Sequence, residues 1–144
     1  MSGEMVRILL VEDNAGDVYL FRKALENAEL NFELNVIEDG AEALAFARQE
    51  GKYAGSPVPD LALLDLNLPK NEGIEVLKAM RHNSHLSKVP VVITSTSATP
   101  RERADAERLG VQRYIMKPLD LESFLQIGTV LKEIILSRRH STAS

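Results

Sequence analysis

The segment LALLDLNLPK, residues 61–70, joins an apolar run to a carboxylate. Residues 61–64 are all apolar, and Asp65 follows them with no cationic side chain beside it. A short apolar run without alternation is typical of a strand that is covered on both faces. Because an isolated buried carboxylate is costly, Asp65 either lies at a surface where its strand ends or has partners from elsewhere in the chain.

Similar short runs recur along the chain and are separated by segments with helix-start signals. Each signal places Asn, Asp or Thr before a segment with apolar residues at helical spacing. The further runs are residues 8–11, 32–37, 91–93 and 114–116. The predicted N-caps are Asn14, Asp39, Thr99 and Asp120, with capping boxes at Asp39 with Glu42 and at Thr99 with Glu102, and a further helix covers about residues 73–82.

The resulting order is a strand followed by a helix, five times over. This order predicts an α/β protein with a doubly wound, five-stranded parallel sheet, (βα)5, and right-handed crossovers. The 144 residues fit a single domain, residues 1–144, with its core over about residues 6–137. The last helix is expected to end near Ser137, and the polar segment 138–144 is expected to be a flexible tail.

Composition excludes several classes of function. Lysine and arginine number 17 against 21 acidic residues, so the net charge is −4 and the sequence does not suggest a nucleic-acid-binding protein. No cysteine is present, which excludes disulfides and thiolate chemistry. No apolar run approaches the roughly 18 residues of a membrane span, and the N-terminus lacks the features of a signal peptide. We therefore expect a cytoplasmic protein whose partners are neither membranes nor nucleic acids.

The chemically distinctive side chains follow the predicted strands. In an open parallel sheet the carboxyl ends of the strands lie at one rim, where ligands bind. We therefore expect three carboxylates, a hydroxyl and an ammonium to gather there. They are Glu12 and Asp13 after strand one, Asp65 after strand three, Ser95 after strand four and Lys117 after strand five. Each of these residues alone is more often a turn or capping residue, so the convergence of four strand ends carries the prediction.

This set of side chains suits phosphoryl chemistry with a divalent cation. Carboxylate oxygens are hard ligands of the kind that Mg²⁺ prefers, and the cation would offset the repulsion between the three carboxylates. A hydroxyl and an ammonium suit the oxygens of a phosphoryl group, and an aspartate held near Mg²⁺ can act as a nucleophile. The glycine-rich phosphate loops of dinucleotide-binding and nucleoside-triphosphate folds are missing from the sequence.

Four motifs resemble those of the receiver domain of two-component response regulators. They are ILLVEDN at residues 8–14, LLDLNLP at 63–69 with Gly73 following, VVITS at 91–95 and YIMKP at 114–118. Their order and spacing are similar to those of the family from about residue 6 to residue 137. The resemblance implies a flavodoxin-like receiver fold and a phosphorylation switch that depends on Mg²⁺.

The resemblance also implies roles for the acidic residues. Asp65 is the phosphoacceptor in this reading, and Asp13 and the backbone carbonyl of Asn67 bind Mg²⁺ together with Asp65. Glu12 reaches the cation largely through water. The family more often has Asp at the position of Glu12, and the longer side chain can shift the metal.

Three residues carry the switch that the resemblance implies. Ser95 is the hydroxyl that moves onto the phosphoryl group, Lys117 neutralises a phosphoryl oxygen, and Tyr114 is the aromatic side chain that moves with the switch. Ser95 stands where the family more often has Thr, whose β-branch restricts its rotamers. The family also implies a cis bond between Lys117 and Pro118.

The implied phosphodonor is a sensor histidine kinase, and the output passes to a downstream protein or phosphotransfer partner. The long loop EGKYAGSPVPD, residues 50–60, and the segment LLDLNLPKNEG, residues 63–73, resemble the small receivers that serve phytochrome-type kinases. The chain would catalyse only its own phosphorylation and dephosphorylation, and would not be an enzyme in the usual sense. The alternative is a Mg²⁺-dependent phosphatase that forms an aspartyl phosphate, although such enzymes typically have a second acid where this chain has Asn67.

The last predicted helix has more apolar surface than one core-facing side requires. A surface helix needs an apolar arc of about 100°. The predicted core stripe is Leu121, Phe124, Leu125, Leu131 and Ile135, and the additional apolar residues are Ile127, Val130 and Ile134. We therefore expect a homodimer through this helix, in which the additional residues of two copies meet across a two-fold axis.

Overall fold

The computed structural model describes residues 4–69, 72–96 and 99–143, which form a five-stranded sheet with helices on both faces. The strand pairings are parallel, in the order β2-β1-β3-β4-β5. The strands are β1 Val6–Val11, β2 Phe32–Ile37, β3 Leu61–Asp65, β4 Val91–Ser95 and β5 Arg113–Met116. The helices are α1 Ala15–Asn27, α2 Gly40–Arg48, α3 Glu72–His82, α4 Pro100–Arg108 and α5 Leu121–Ala143, with a short 3₁₀ turn at Gly51–Tyr53. The predicted doubly wound α/β fold is confirmed.

The sheet has an apolar cluster on each face because its central strands bury side chains on both sides. Within β1, Leu9 and Val11 pack on one face and Ile8 and Leu10 pack on the other, and all four are buried. Helices α2, α3 and α4 cover the first face, and α1 and α5 cover the second. This two-sided burial is the reason why the central strands appear in the sequence as unbroken apolar runs.

Side-chain caps fix the starts of three helices as the sequence predicts. Each cap accepts a hydrogen bond from a backbone N–H of the first turn, which would otherwise lack a partner within the helix. The pairs are Asn14 with Asp17 at 2.9 Å, Thr99 with Glu102 at 3.1 Å and Asp120 with Ser123 at 2.9 Å. The capping box at Thr99 is complete, because the Glu102 side chain also accepts from the Thr99 backbone.

The capping box predicted at Asp39 is wrong. The Asp39 side chain does cap α2, but it accepts from the backbone N–H of Ala41 at 2.8 Å. Glu42 instead accepts from the Tyr53 hydroxyl at 2.8 Å and pairs with the Lys52 ammonium at 2.9 Å. The Glu42 side chain therefore makes a tertiary contact instead of completing the capping box that the local sequence pattern predicts. This contact connects the loop after α2 to the helix.

Helix α5 is rotated relative to the sequence prediction. Its buried apolar residues are Phe124, Ile127, Leu131 and Ile135. Leu121 is 58% exposed, so its assignment to the core stripe is wrong, and Ile127 belongs to the core instead of to the additional apolar face. The helix continues past Ser137, where the sequence predicts its end, to Ala143. No helix within the described ranges is both long enough and apolar enough to cross a membrane.

The rotation of α5 is set by Gly128, which faces α1. A Cβ atom at this position would lie 2.0 Å from the carbonyl oxygen of Ala24 and 3.3 Å from the Cβ of Ala28. The absence of a side chain therefore lets the two helices approach closely. The Phe21 and Phe124 rings, 4.9 Å apart between centroids, extend the same contact. Helix α1 rather than α4 thus determines which side of α5 is covered.

We predict that Gly128→Ala destabilises the protein, although alanine is normally the better helix former. The added methyl group would collide with the α1 backbone, so overpacking should cost about 1–3 kcal/mol in the free energy of unfolding. Urea denaturation followed by circular dichroism measures this. Thr129→Ala on the exposed side of α5 is the matched control and should change stability by less than about 0.5 kcal/mol. An unchanged or raised urea midpoint for Gly128→Ala would contradict the close approach.

Candidate functional site

The structure brings the predicted site residues together at the carboxyl rim of the sheet. Glu12 and Asp13 follow β1, Asp65 ends β3, Ser95 ends β4 and Lys117 follows β5. The register places Asp65 beside Thr94 of the neighbouring strand, one residue before Ser95. Asp65 is 2% exposed and Glu12 is fully buried, so two of the three predicted carboxylates are buried groups rather than parts of a solvated acidic surface.

Lys117 is the cation at the centre of the rim. Its Nζ lies 2.7 Å from Glu12 Oε1, 2.9 Å from Asp17 Oδ2 and 3.4 Å from Asp65 Oδ2, and its side chain is 6% exposed. Burial by itself would lower the pKa of Lys117, but the hydrogen bonds to Glu12 and Asp17 outweigh burial and raise it. The ammonium group therefore stays charged. It connects the end of β5 to the β1–α1 junction and to the end of β3.

One ammonium does not balance the carboxylates around it. The pKa of Glu12 is raised to about 7, mainly by burial and also by the neighbouring Asp65, while Lys117 opposes the rise. Burial is the larger cause of this shift, and the smaller contribution of Asp65 reflects repulsion between two close carboxylates. Glu12, Asp13 and Asp65 lie close together with one ammonium among them, so a further cation would reduce the repulsion.

The acidic cluster fits a divalent metal ion. Glu12, Asp13 and Asp65 each offer an oxygen atom, and these atoms lie within 4.8 Å of one another. Hard oxygen ligands at this spacing suit a divalent cation that keeps part of its water shell. Asp13 is exposed, so the cluster opens to solvent on its side, where a cation can enter. The Asp65 carboxylate is oriented by the Asn67 N–H, which donates to Asp65 Oδ1 at 2.9 Å.

The Ser95 hydroxyl is held by the side chain of Asn67. The amide oxygen Oδ1 of Asn67 accepts from Ser95 Oγ at 3.0 Å, from the Thr96 N–H at 2.7 Å and from Thr96 Oγ1 at 3.1 Å. This connects the loop after β3 to the end of β4. Sequence reasoning assigned a role only to the backbone carbonyl of Asn67 and missed its amide, because a side-chain contact across two loops leaves no local signal.

Tyr114 lies on β5, beside β4, and is half-buried. Burial raises the pKa of its hydroxyl, while the Ser95 side chain opposes the rise. The Arg103 guanidinium of α4 lies 5.0 Å from the centre of the ring. Tyr114 therefore touches both the strand that ends in Ser95 and the helix that follows it.

Asp17 also contributes a carboxylate to the rim, and the sequence analysis did not identify it. It lies one helical turn after Asp13, in the first turn of α1, and this spacing is the signal that could have placed it at the same rim. Its contact with Lys117 makes a third carboxylate partner for that ammonium.

The bond between Lys117 and Pro118 is trans, as are the other peptide bonds of the described residues, so the cis prediction is wrong. The trans form is the intrinsically favoured one, by about 0.5–1 kcal/mol for a bond before proline. The Lys117 side chain contacts all three carboxylates although its bond to Pro118 is trans, so these contacts do not require a cis bond.

Comparison with known proteins gives a consistent family. Residues 8–128 match the family model described as the response regulator receiver domain. Response regulator Rcp1 of Synechocystis sp. is 39% identical over 120 residues, which are 83% of this chain and 82% of Rcp1. The phosphorylated cyanobacterial phytochrome response regulator RcpA has a TM-score of 0.83 at 41% identity, over 94% of this chain and 96% of RcpA. The Mn²⁺-bound form of Rcp1 has a TM-score of 0.79 at 37% identity, over 88% of this chain and 91% of that one.

The strand order, the acidic rim with its lysine and the match over residues 8–128 agree with one another. The receiver fold implied by the four sequence motifs is thereby confirmed. The chain belongs to the response regulator receiver domain family and is similar over most of its length to the response regulators Rcp1 and RcpA.

Proposed function

We propose that the chain is a phosphorylation switch in which Asp65 accepts a phosphoryl group from the phosphohistidine of a sensor histidine kinase. The setting of Asp65 carries this proposal. One carboxylate oxygen is fixed by the Asn67 N–H, and the other lies 3.4 Å from the Lys117 ammonium, which can offset charge on a transferred phosphoryl group. In the transfer, the P–N bond of the phosphohistidine breaks and a P–O bond to Asp65 forms. The electron pair of the broken bond stays on the imidazole nitrogen.

The divalent ion in this proposal is Mg²⁺, held by Asp13, Asp65 and the backbone carbonyl of Asn67, with Glu12 reaching it through water. The different environments of the two acidic residues after β1 support the assignment of one as a direct ligand and the other as a water-mediated one. Glu12 is buried and its oxygens contact Lys117 and the Asn14 N–H, at 2.7 and 3.2 Å, whereas Asp13 is exposed. A few carboxylates completed by water are the usual environment of Mg²⁺ in proteins. When bound, the ion would offset the negative charge around the acceptor.

The switch depends on two donors that interact differently with the two states of Asp65. Phosphorylation adds negative charge and acceptor oxygens at this position. Ser95, which donates to Asn67 at 3.0 Å, can then donate to a phosphoryl oxygen, and Lys117 can strengthen its contact. Such differential contacts are what a population shift requires. Tyr114 links Ser95 to α4 and is therefore the side chain through which we expect the change to reach the surface.

The similarity to RcpA favours a phytochrome-type sensor kinase as the phosphodonor, because RcpA is itself a cyanobacterial phytochrome response regulator. We extend this assignment to the present chain. The output then passes by contact to a downstream protein or phosphotransfer partner. The proposal places the protein in the cytoplasm, where the ATP-dependent kinase reaction takes place.

A Mg²⁺-dependent phosphatase is the competing function. Multiple turnover would need a general acid close to the aspartyl phosphate. The side chain two residues after Asp65 is that of Asn67, an amide that cannot transfer a proton at neutral pH and whose oxygen already accepts three hydrogen bonds. An assay with a small aryl phosphate separates the two functions, since a switch becomes modified once whereas a phosphatase releases product continuously.

We also propose a homodimer through α5 and the neighbouring edge strand β5. The support is a group of exposed large apolar side chains on these two elements and on the turn between them. They are Met116, Leu119, Leu121 and Leu136. These side chains differ from those that the sequence indicates, because Ile127 is in the core and Val130 and Ile134 are half-buried. Met116, Leu119 and Leu121 are close in sequence at the start of α5, whereas Leu136 lies roughly 22 Å further along the helix. A two-fold pair along α5 would bury this set from each copy.

Asp65→Asn should abolish phosphorylation by acetyl phosphate in the presence of Mg²⁺, because the amide is not a nucleophile for phosphoryl transfer. Intact-protein mass spectrometry measures the added group. Asp60→Asn, just before the opposite end of the same strand, is the matched control and should be modified like the wild type. Uptake of one acid-labile phosphoryl group by Asp65→Asn would show that the acceptor is another residue.

Asp13→Asn should weaken Mg²⁺ binding more than Glu12→Gln does, because a direct ligand contributes more than one that acts through water. The expected loss is about tenfold or more for Asp13→Asn. Calorimetric titration with MgCl₂ compares the two isosteric variants. A larger loss for Glu12→Gln would reverse the assignment.

Leu121→Glu should shift the dimer towards monomer, because it places a charge within the proposed apolar interface. Sedimentation velocity at tens of micromolar protein measures this for the free and the phosphorylated chain. Val58→Glu, which changes an exposed apolar residue of the loop after α2, should leave the dimer intact. If the wild type is a monomer in both states, the proposed interface serves another partner.

A further inference from the structure

Lys117 is shared unequally between its three carboxylates. The contacts to Glu12 and Asp17, at 2.7 and 2.9 Å, are shorter than the 3.4 Å contact to the acceptor Asp65. An ammonium group has three donors, so all three contacts can form at once. In this state, however, the charge of Lys117 lies closer to the α1 side of the rim than to the acceptor.

The Asp17 carboxylate is a fixed anion rather than a mobile surface charge. Its backbone N–H donates to the Asn14 cap at 2.9 Å, which holds the first turn of α1 in place. Its side chain is 24% exposed, and Lys117, with 6% exposure, is largely shielded from solvent. A contact with this much burial is screened less by water and salt than a surface ion pair.

The negative charge of Asp17 is not required to balance a divalent metal ion at the rim. The proposed ligands Asp13 and Asp65, together with Glu12, already supply three carboxylates against one divalent cation and one ammonium. Formal charge is then balanced before Asp17 is counted. Asp17 contacts Lys117 and is not part of the three-carboxylate cluster, so its effect on the acceptor passes through the ammonium.

We propose that Asp17 is a positioning residue that competes with the phosphorylated acceptor for the Lys117 ammonium. This inference rests on the proposed function of Asp65. By holding Lys117 at the α1 side, Asp17 weakens the contact between Lys117 and the phosphoryl group. It therefore lowers the stability of the phosphorylated state relative to the free state.

Asp17→Asn tests the competition, with beryllofluoride as the phosphoryl mimic at saturating Mg²⁺. Calorimetric titration measures its affinity for the protein. The variant should bind beryllofluoride about fivefold more tightly, the scale of one partly screened ion pair. Asp17→Glu, which keeps the charge, should stay near the wild-type affinity. Glu26→Gln removes one negative charge near the other end of α1, where Glu26 pairs with Lys23, and should have no effect.

A structural role for Asp17 predicts a different result. A carboxylate in the first turn also stabilises the helix through the helix dipole, and its loss could disturb α1 without involving Lys117. Two variants separate these roles, the single variant Lys117→Gln and the double variant that combines Asp17→Asn with Lys117→Gln. If Asp17 acts through the ammonium, its effect on beryllofluoride affinity disappears when Lys117 is replaced. If Asp17→Asn alone is unstable to urea, Asp17→Ser carries the same comparison, since serine is also accepted in a first turn.

The failure of this inference is distinguishable from failure of the proposed function. A wild type that binds no beryllofluoride, or an Asp65→Asn variant that binds it as well as the wild type does, would overturn the proposed function. Normal binding by the wild type with unchanged or weaker binding by Asp17→Asn would overturn the competition alone. So would an Asp17 effect that persists in the Lys117→Gln background.

Discussion

The contact between one buried ammonium and three carboxylates is the interaction on which the rest of the rim depends. Lys117 follows the edge strand β5, whereas Glu12, Asp17 and Asp65 come from the β1–α1 junction and the central strand β3. The side chain of Lys117 therefore crosses the end of β4 to reach its partners. Buried charges of this kind are tolerated only when they are paired. The parallel sheet supplies the pairing, since it ends all of these strands at one rim.

The packing of α1 against α5 helps to hold the charged groups of the rim in place. Gly128 brings the two helices into close approach, and the Asn14 cap sets where α1 begins. Lys132 on α5 donates to the carbonyl of Ala28 at 2.9 Å, which satisfies a backbone group at the other end of α1. Helix α1 is thus held at both ends and along its length. Its first turn carries Asp17, so the packing of two helices on one face of the sheet fixes a charge at the rim.

Much of the fold and of the rim could be predicted from sequence because the signals are local. An unalternated apolar run marks a strand buried on both faces, and the residue after it must lie at the rim, as Asp65 does. The rotation of α5 could not be predicted in this way, because Leu121 and Ile127 are equally apolar and only the approach of α1 at Gly128 decides between them. The partners of Asp17 and of the Asn67 amide depend on contacts between elements far apart in the chain, and periodicity carries no information on these.

The Asn67 amide also determines how easily Ser95 can change partner. A carbonyl oxygen has two lone pairs, and Asn67 Oδ1 accepts from three donors, of which two belong to Thr96. When the Ser95 hydroxyl leaves, the two Thr96 donors can still occupy both lone pairs, so no acceptor is left unpaired. Breaking this part-buried hydrogen bond therefore leaves no acceptor without a donor, which keeps its cost small. The free-energy difference between the two positions of Ser95 is governed by what the hydroxyl gains at its new partner, and little by what Asn67 loses.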